Sequence, residues 1–145
     1  MLKKGFTVIE LLIVLAIFVL LVGIVAPFFA NTFNQSNQEI TVLEIQQNLR
    51  AAQAKSMAGL ENSRWGLYFQ SDRYTLYKGN SYAARDTNYD QLTKVSGQMS
   101  ISGLTEINFT KNRGFPNMTG DINVTDPFGN ILQVNVNSLG RVTLQ

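Results

Sequence analysis

The chain has 145 residues, with 12 basic and 10 acidic side chains and neither histidine nor cysteine. That length holds one membrane-length helix and one modest globular domain, and the two missing residue types exclude disulfides, thiolate metal sites, cysteine nucleophiles and the commonest general base. Lys3 and Lys4 stand at the amino terminus, and the remaining charges balance at ten of each sign, which leaves no basic stripe to favour nucleic acid.

The two lysines precede the run GFTVIELLIVLAIFVLLVGIVAPFFA, and between Gly5 and Gln38 the single charge is Glu10. From Leu11 to Ala30 the sequence is apolar apart from the helix-breaking types Gly23 and Pro27, long enough for a bilayer core that needs about 20 such residues. Basic residues before the run and none after it until Arg50 put the amino terminus in the cytoplasm and everything beyond Asn31 outside. A carboxylate within such a segment marks function by default, because a lone buried charge there is strongly disfavoured. A cleaved secretory signal is a poor match, since the apolar stretch exceeds an h-region of roughly 7 to 15 residues and lacks a good small-residue exit site. An ordinary signal anchor accounts for the lysines and the length and leaves Glu10 unexplained. Pro27 removes its own amide donor and crowds the carbonyl of Gly23, so this pair predicts a kink or an unwound turn; a tolerated kink in a membrane helix is the simpler alternative.

After a polar, uncharged stretch, Val42, Ile45, Leu49 and Ala52 fall at helical spacing and give one narrow apolar face. The pattern predicts one long helix from Phe6 to about Met57, with Gly59 as its stop. From Arg64 the periodicity changes to strands. Trp65, Leu67 and Phe69 alternate with their neighbours, followed by Tyr74 with Leu76, Ile101, Ile107 with Phe109, Ile122 with Val124, Leu132 through Val136, and Val142 with Leu144. Asp126-Pro127-Phe128-Gly129-Asn130 reads as a turn, and the polar segment Gly79 to Gln91 as an exposed loop. About seven short strands behind a helix predict an α+β chain with an antiparallel sheet or small β-sandwich.

No pair of carboxylates has a spacing that calls for acid/base work, so the chain reads as a non-enzyme without cofactor. Asp121 and Asp126 could offer oxygen to a hard cation, but nothing like a twelve-residue calcium loop surrounds them, and no metal site is expected.

Lys3-Lys4-Gly5-Phe6-Thr7-Val8-Ile9-Glu10 resembles the class III signal of type IV pilins and type II secretion pseudopilins: a short basic leader, a glycine, a phenylalanine, and a glutamate four positions on. The resemblance implies that a membrane prepilin peptidase cuts between Gly5 and Phe6 and N-methylates the new amine of Phe6. It also implies that Glu10 of an incoming subunit meets the terminal amine at Phe6 of a neighbour, a buried ion pair of the kind that serves as a registry device. The family has a proline at the position of Pro27, where assembled filaments lose helical order. The segments Leu49-Arg50-Ala51-Ala52-Gln53-Ala54, Trp65-Gly66-Leu67-Tyr68-Phe69, Ile107-Asn108-Phe109, Arg113-Gly114-Phe115-Pro116, Val134-Asn135-Val136 and Gly140-Arg141-Val142 resemble the H-type minor pseudopilins and fimbrial T-type minor pilins (GspH/FimT-like). Many pilins carry a carboxy-terminal disulfide, and this chain departs from them there.

By that resemblance, residues 1–5 are a leader, 6–30 a transmembrane and filament-core helix, 31–59 its amphipathic continuation and 60–145 an extracytoplasmic β-domain. The implied partners are the prepilin peptidase, other pilin or pseudopilin subunits, an inner-membrane assembly platform, and membrane lipid before assembly. Two other functions are compatible with the residues. Some T-type members bind DNA through a basic tail, but here the tail from Gly140 to Gln145 has the single arginine Arg141, and affinity for DNA grows with the number of phosphates neutralised. The other is a signal-anchored extracytoplasmic binding module, which leaves the leader uncleaved.

Overall fold

The computed structural model describes residues 7–95 and 98–145, with the side chains of residues 24–34 set aside. It divides into two compact units, Met1–Asn34 and Gln35–Gln145. One helix, α1 (Val8–Met57), contributes to both.

In the first unit the described part of α1 beyond Glu10 is apolar on all sides. Val8, Phe18, Val19 and Leu20 are each more than 60 % exposed. A helix without a polar face needs an apolar environment around its whole circumference. Gly23 and Pro27 both lie within α1, and the space around Gly23 is open.

In the second unit the helix is one-sided. Val42, Ile45, Leu49 and Ala52, the positions picked out by spacing, are all buried. The helix ends at Met57, and Gly59 takes the left-handed conformation (φ 60°) that glycine adopts without a Cβ penalty, so the expected stop is in place. A single 3₁₀ turn, Leu60–Asn62, then leads into the strands.

There are eight of these: β1 (Trp65–Phe69), β2 (Arg73–Lys78), β3 (Asp86–Lys94), β4 (Ser100–Gly103), β5 (Glu106–Phe109), β6 (Gly120–Thr125), β7 (Ile131–Val136) and β8 (Val142–Leu144). They form two antiparallel four-stranded sheets, ordered β3-β2-β1-β5 and β4-β6-β7-β8. The α+β reading therefore holds, with two sheets sharing one core with the helix. Leu67, Leu76, Ile107 and Phe109 of the first sheet and Ile122, Val124, Val134 and Val136 of the second join the apolar helix face in that core.

The segment Gly79 to Gln91, expected as a loop, is corrected in its second half. From Asp86 onward the chain is β3, paired with β2 through Thr75↔Leu92 and Leu76↔Gln91, with an irregularity between Leu76 and Lys78. This strand has no residue in the apolar core, so alternation of apolar and polar types could not reveal it. Main-chain pairing holds it, together with Tyr89, whose ring meets Trp65 edge-on at 5.9 Å and receives the Lys78 ammonium on its face at 3.9 Å.

Glycine has a specific use in the middle of the first sheet. Gly66 is the direct neighbour of Tyr77 on one side and Asn108 on the other. With no side chain at 66, the buried Tyr77 ring crosses β1, where its hydroxyl donates to Glu106 Oε1 at 2.6 Å and accepts from Asn108 Nδ2 at 3.1 Å.

Candidate functional site

Glu10 lies in the first turn of α1 and is exposed. Thr7 immediately precedes the helix and is joined to it reciprocally: the Glu10 amide donates to Thr7 Oγ1 at 3.4 Å, while the Thr7 amide and hydroxyl donate to Glu10 Oε2 at 3.5 and 3.4 Å. Thr7-Val8-Ile9-Glu10 is thus a capping box, in which two backbone donors that a helix start leaves orphaned are satisfied by side chains. The helix dipole also favours a carboxylate in this turn. The sequence carries a signal for this box, a threonine three residues before a glutamate at the head of an apolar run, which hydropathy alone does not register.

The carboxylate therefore faces outward from a helix start surrounded by exposed Val8, Ile9 and Leu11. It can accept a further donor from outside the chain, and a charged donor such as an ammonium bonds a carboxylate about twice as strongly as a neutral one. Gly5 and Phe6, the expected cleavage and methylation positions, lie outside the described residues.

Apart from Glu39 and Glu44, the acidic residues of the second unit have partners within the fold. Arg85 Nε meets Asp90 at 2.8 Å, Arg73 pairs with Asp72 at 2.6 Å, and Lys78 lies between Glu61 and Asp86 at 3.8 and 3.6 Å. Burial, followed by the hydrogen bond to Glu106, raises the Tyr77 hydroxyl above the ordinary tyrosine range, which keeps it a structural donor. Asp121 accepts from Asn135 Nδ2 at 2.6 Å. Asp126 is buried and accepts from the amides of Phe128 and Asn130 at 2.9 and 2.8 Å and from Asn130 Nδ2 at 2.8 Å. Desolvation raises its pKa, and these hydrogen bonds outweigh that effect, so the carboxyl ends below its usual value. Its oxygens shape the β6–β7 turn, as the Asp-Pro-Phe-Gly-Asn pattern implies. Among the described residues no three acidic side chains are grouped to hold a metal ion.

Among the described residues no helix is long and apolar enough to cross a membrane. No curated protein and no solved structure matches the chain. Residues 1–26 match the family described as the prokaryotic N-terminal methylation motif. The matched stretch contains Gly5, Phe6, the Thr7–Glu10 box and the described apolar turns that follow it. Its amino-terminal segment marks the chain as a type IV pilin-like, prepilin-type protein.

Proposed function

We propose that the chain is a minor pilin or pseudopilin, a structural subunit of a type IV pilus-like or type II secretion filament. The observation that carries this reading is the methylation motif at residues 1–26, continued by a helix whose described turns are apolar on every side and whose first turn holds an outward carboxylate. On this reading the prepilin peptidase cuts between Gly5 and Phe6 and methylates Phe6. The apolar helix then lies in the inner membrane, with its amino terminus cytoplasmic and the β-domain outside, until the subunit joins a filament beside other pilin-type subunits on an assembly platform. There the helix exchanges lipid for the helices of its neighbours, and Glu10 meets the Phe6 amine of an adjacent subunit. Neither charge is tolerable alone in a low dielectric, so the pair fixes axial register. The Gly23/Pro27 pair supplies the point at which the helix yields during packing. On this reading the role is structural and not enzymatic, and the resembling segments between Leu49 and Val142 are what support the H-type or T-type minor subgroup.

The test is the intact mass and amino-terminal fragment spectrum of the protein recovered from cells that contain a prepilin peptidase. A start at N-methylated Phe6 is expected. A start at Met1 in those cells overturns the reading in favour of a signal-anchored module.

A further inference from the structure

Glu39, Leu43, Gln46, Arg50 and Gln53 recur every three or four residues and so share one flank of α1. Along this flank, a seam separates the helix from β8, the edge strand of the second sheet. Toward Gly140 the seam opens into a cavity of about 590 Å³, lined by Gln46, Arg50, Gln53 and Arg141. Toward Glu39 a second cavity of about 390 Å³ is lined by Val42, Leu43 and Leu132. Leu144 lines both, so the two lie side by side along the seam.

The polar half has spare positive charge. Neither Arg50 nor Arg141 is in an ion pair among the described residues. Arg50 donates to the Val142 carbonyl at 3.3 Å, beside Gln46 at 3.4 Å, which leaves most of its five N–H donors for a ligand. The apolar half is exposed where it should be covered: Leu43 and Leu144 are 44 % and 42 % accessible.

The strand that forms one wall has unused main-chain groups. Gln133 and Gln145 exchange both backbone hydrogen bonds, at 3.3 and 3.0 Å. In an antiparallel ladder this alternation turns Val142 and Leu144 away from β7. The Val142 carbonyl is taken by Gln46 and Arg50, whereas the amides of Val142 and Leu144 and the carbonyl of Leu144 find no partner among the described residues. Such an edge is a template for another strand.

We propose that this seam binds an extended peptide segment of a partner protein, which adds its main chain to the β8 edge, seats an apolar side chain between Leu43, Leu132 and Leu144, and presents a carboxylate to Arg50 and Arg141. Alternate residues of a strand point to the same side, so the ligand carries its apolar and acidic residues two positions apart. A nucleic acid phosphate satisfies the two guanidiniums and leaves the apolar half and the edge amides unmatched; a peptide satisfies all three. The inference does not rest on the filament reading, because an extracytoplasmic binding module would use the same seam.

The test uses the full-length protein in detergent micelles, labelled with nitrogen-15, and the acetylated, amidated hexapeptide Thr-Leu-Thr-Glu-Thr-Glu. Titration is expected to shift the amides of Val142 and Leu144 saturably, and replacing the peptide glutamates with glutamine should weaken binding by about tenfold or more. The Arg50→Gln/Arg141→Gln variant should weaken it similarly. Because Arg50 also holds the Val142 carbonyl, Arg141→Gln alone serves as the second variant, and a loss of about threefold is expected there with the rest of the spectrum superimposable. Unmoved edge amides, equal binding of the glutamine peptide, or tighter binding of a duplex oligonucleotide at the same amides would overturn the proposal.

Discussion

Ser56 and Trp65 hold each other twice: the Trp65 amide donates to Ser56 Oγ at 2.8 Å, and that hydroxyl stands 3.3 Å from the Trp65 carbonyl, to which it donates. Both residues are almost fully buried, so the last turn of α1 is fastened to the first residue of β1 where water cannot compete. Ser56→Ala removes both bonds and leaves the Trp65 amide only its ladder position opposite Phe109, a loss expected to cost about 0.5–1.5 kcal/mol. Urea unfolding should show a lower midpoint with an unchanged slope. An unchanged midpoint would mean that the fastening contributes nothing.

Gly66→Ala should be worse than its single methyl group suggests. A Cβ at this position would stand 2.5 Å from the Ile107 carbonyl oxygen and 2.6 Å from the Tyr77 hydroxyl. Overpacking of this kind costs about 1–3 kcal/mol, and here the displaced ring also gives up its bonds to Glu106 and Asn108. Thermal unfolding of the variant should occur at lower temperature, and the tyrosine near-ultraviolet dichroism of the native state should change. Tyr77→Phe, which keeps the ring and removes the hydroxyl, should lower stability with less change in that signal.

Asp126 makes stability depend on pH in a definite direction. Its folded pKa is below the ordinary carboxyl value of 3.8, so its contribution is complete above that value and is lost as pH falls through the folded pKa. Melting temperature should therefore drop more steeply with acidification in the native chain than in Asp126→Asn. The two curves should converge once pH has fallen below the folded pKa of Asp126. Asp72, also lowered, mainly by its hydrogen bond to Arg73, is common to both proteins and leaves the difference between them unaffected. Parallel curves would assign the turn's stability to its backbone alone.

Processing and assembly should separate genetically. Gly5→Ala is expected to leave the amino terminus at Met1. Glu10→Ala should be cut and methylated like the native chain, yet its share in sheared filaments should fall by about tenfold or more, since one unpaired buried charge costs about 3–5 kcal/mol. Normal incorporation of the Glu10 variant would remove the registry argument while leaving the processing result intact.

The helix was legible because each of its signals is local. Four apolar residues at helical spacing gave its buried face, and Gly59 gave its end. Most strands were legible for the same reason, since Leu67, Ile107, Ile122 and Val134 each alternate with polar or surface neighbours. β3 was not: Asp-Thr-Asn-Tyr-Asp-Gln-Leu-Thr-Lys contributes no core residue, and its strand character comes from pairing with β2, a partner that no local window contains. The role of Gly66 was hidden likewise, because what fills its place is a ring eleven residues away on the neighbouring strand. At the amino terminus, leader, glycine and glutamate were all visible, and Thr7 was missed although its spacing to Glu10 is itself a sequence pattern. The seam beside β8 was invisible for a different reason: Arg50 and Arg141 are far apart in sequence and share a cavity only once the last strand is laid along the helix.

The stretch of α1 within the second unit is secured near both of its ends. Gln38 donates to the carbonyls of Val124 and Asn130, each at 2.8 Å, and Ser56 holds Trp65 about eighteen residues of helix farther on, at roughly 1.5 Å per residue. Tension applied to the chain at Gln35 therefore meets the β6–β7 turn within the first helical turn, before it can strip Val42 or Ile45 from the core. Two side-chain bonds loaded together at the entry point, with a third fastening at the far end, make this domain resist as a block when it is pulled by its helix.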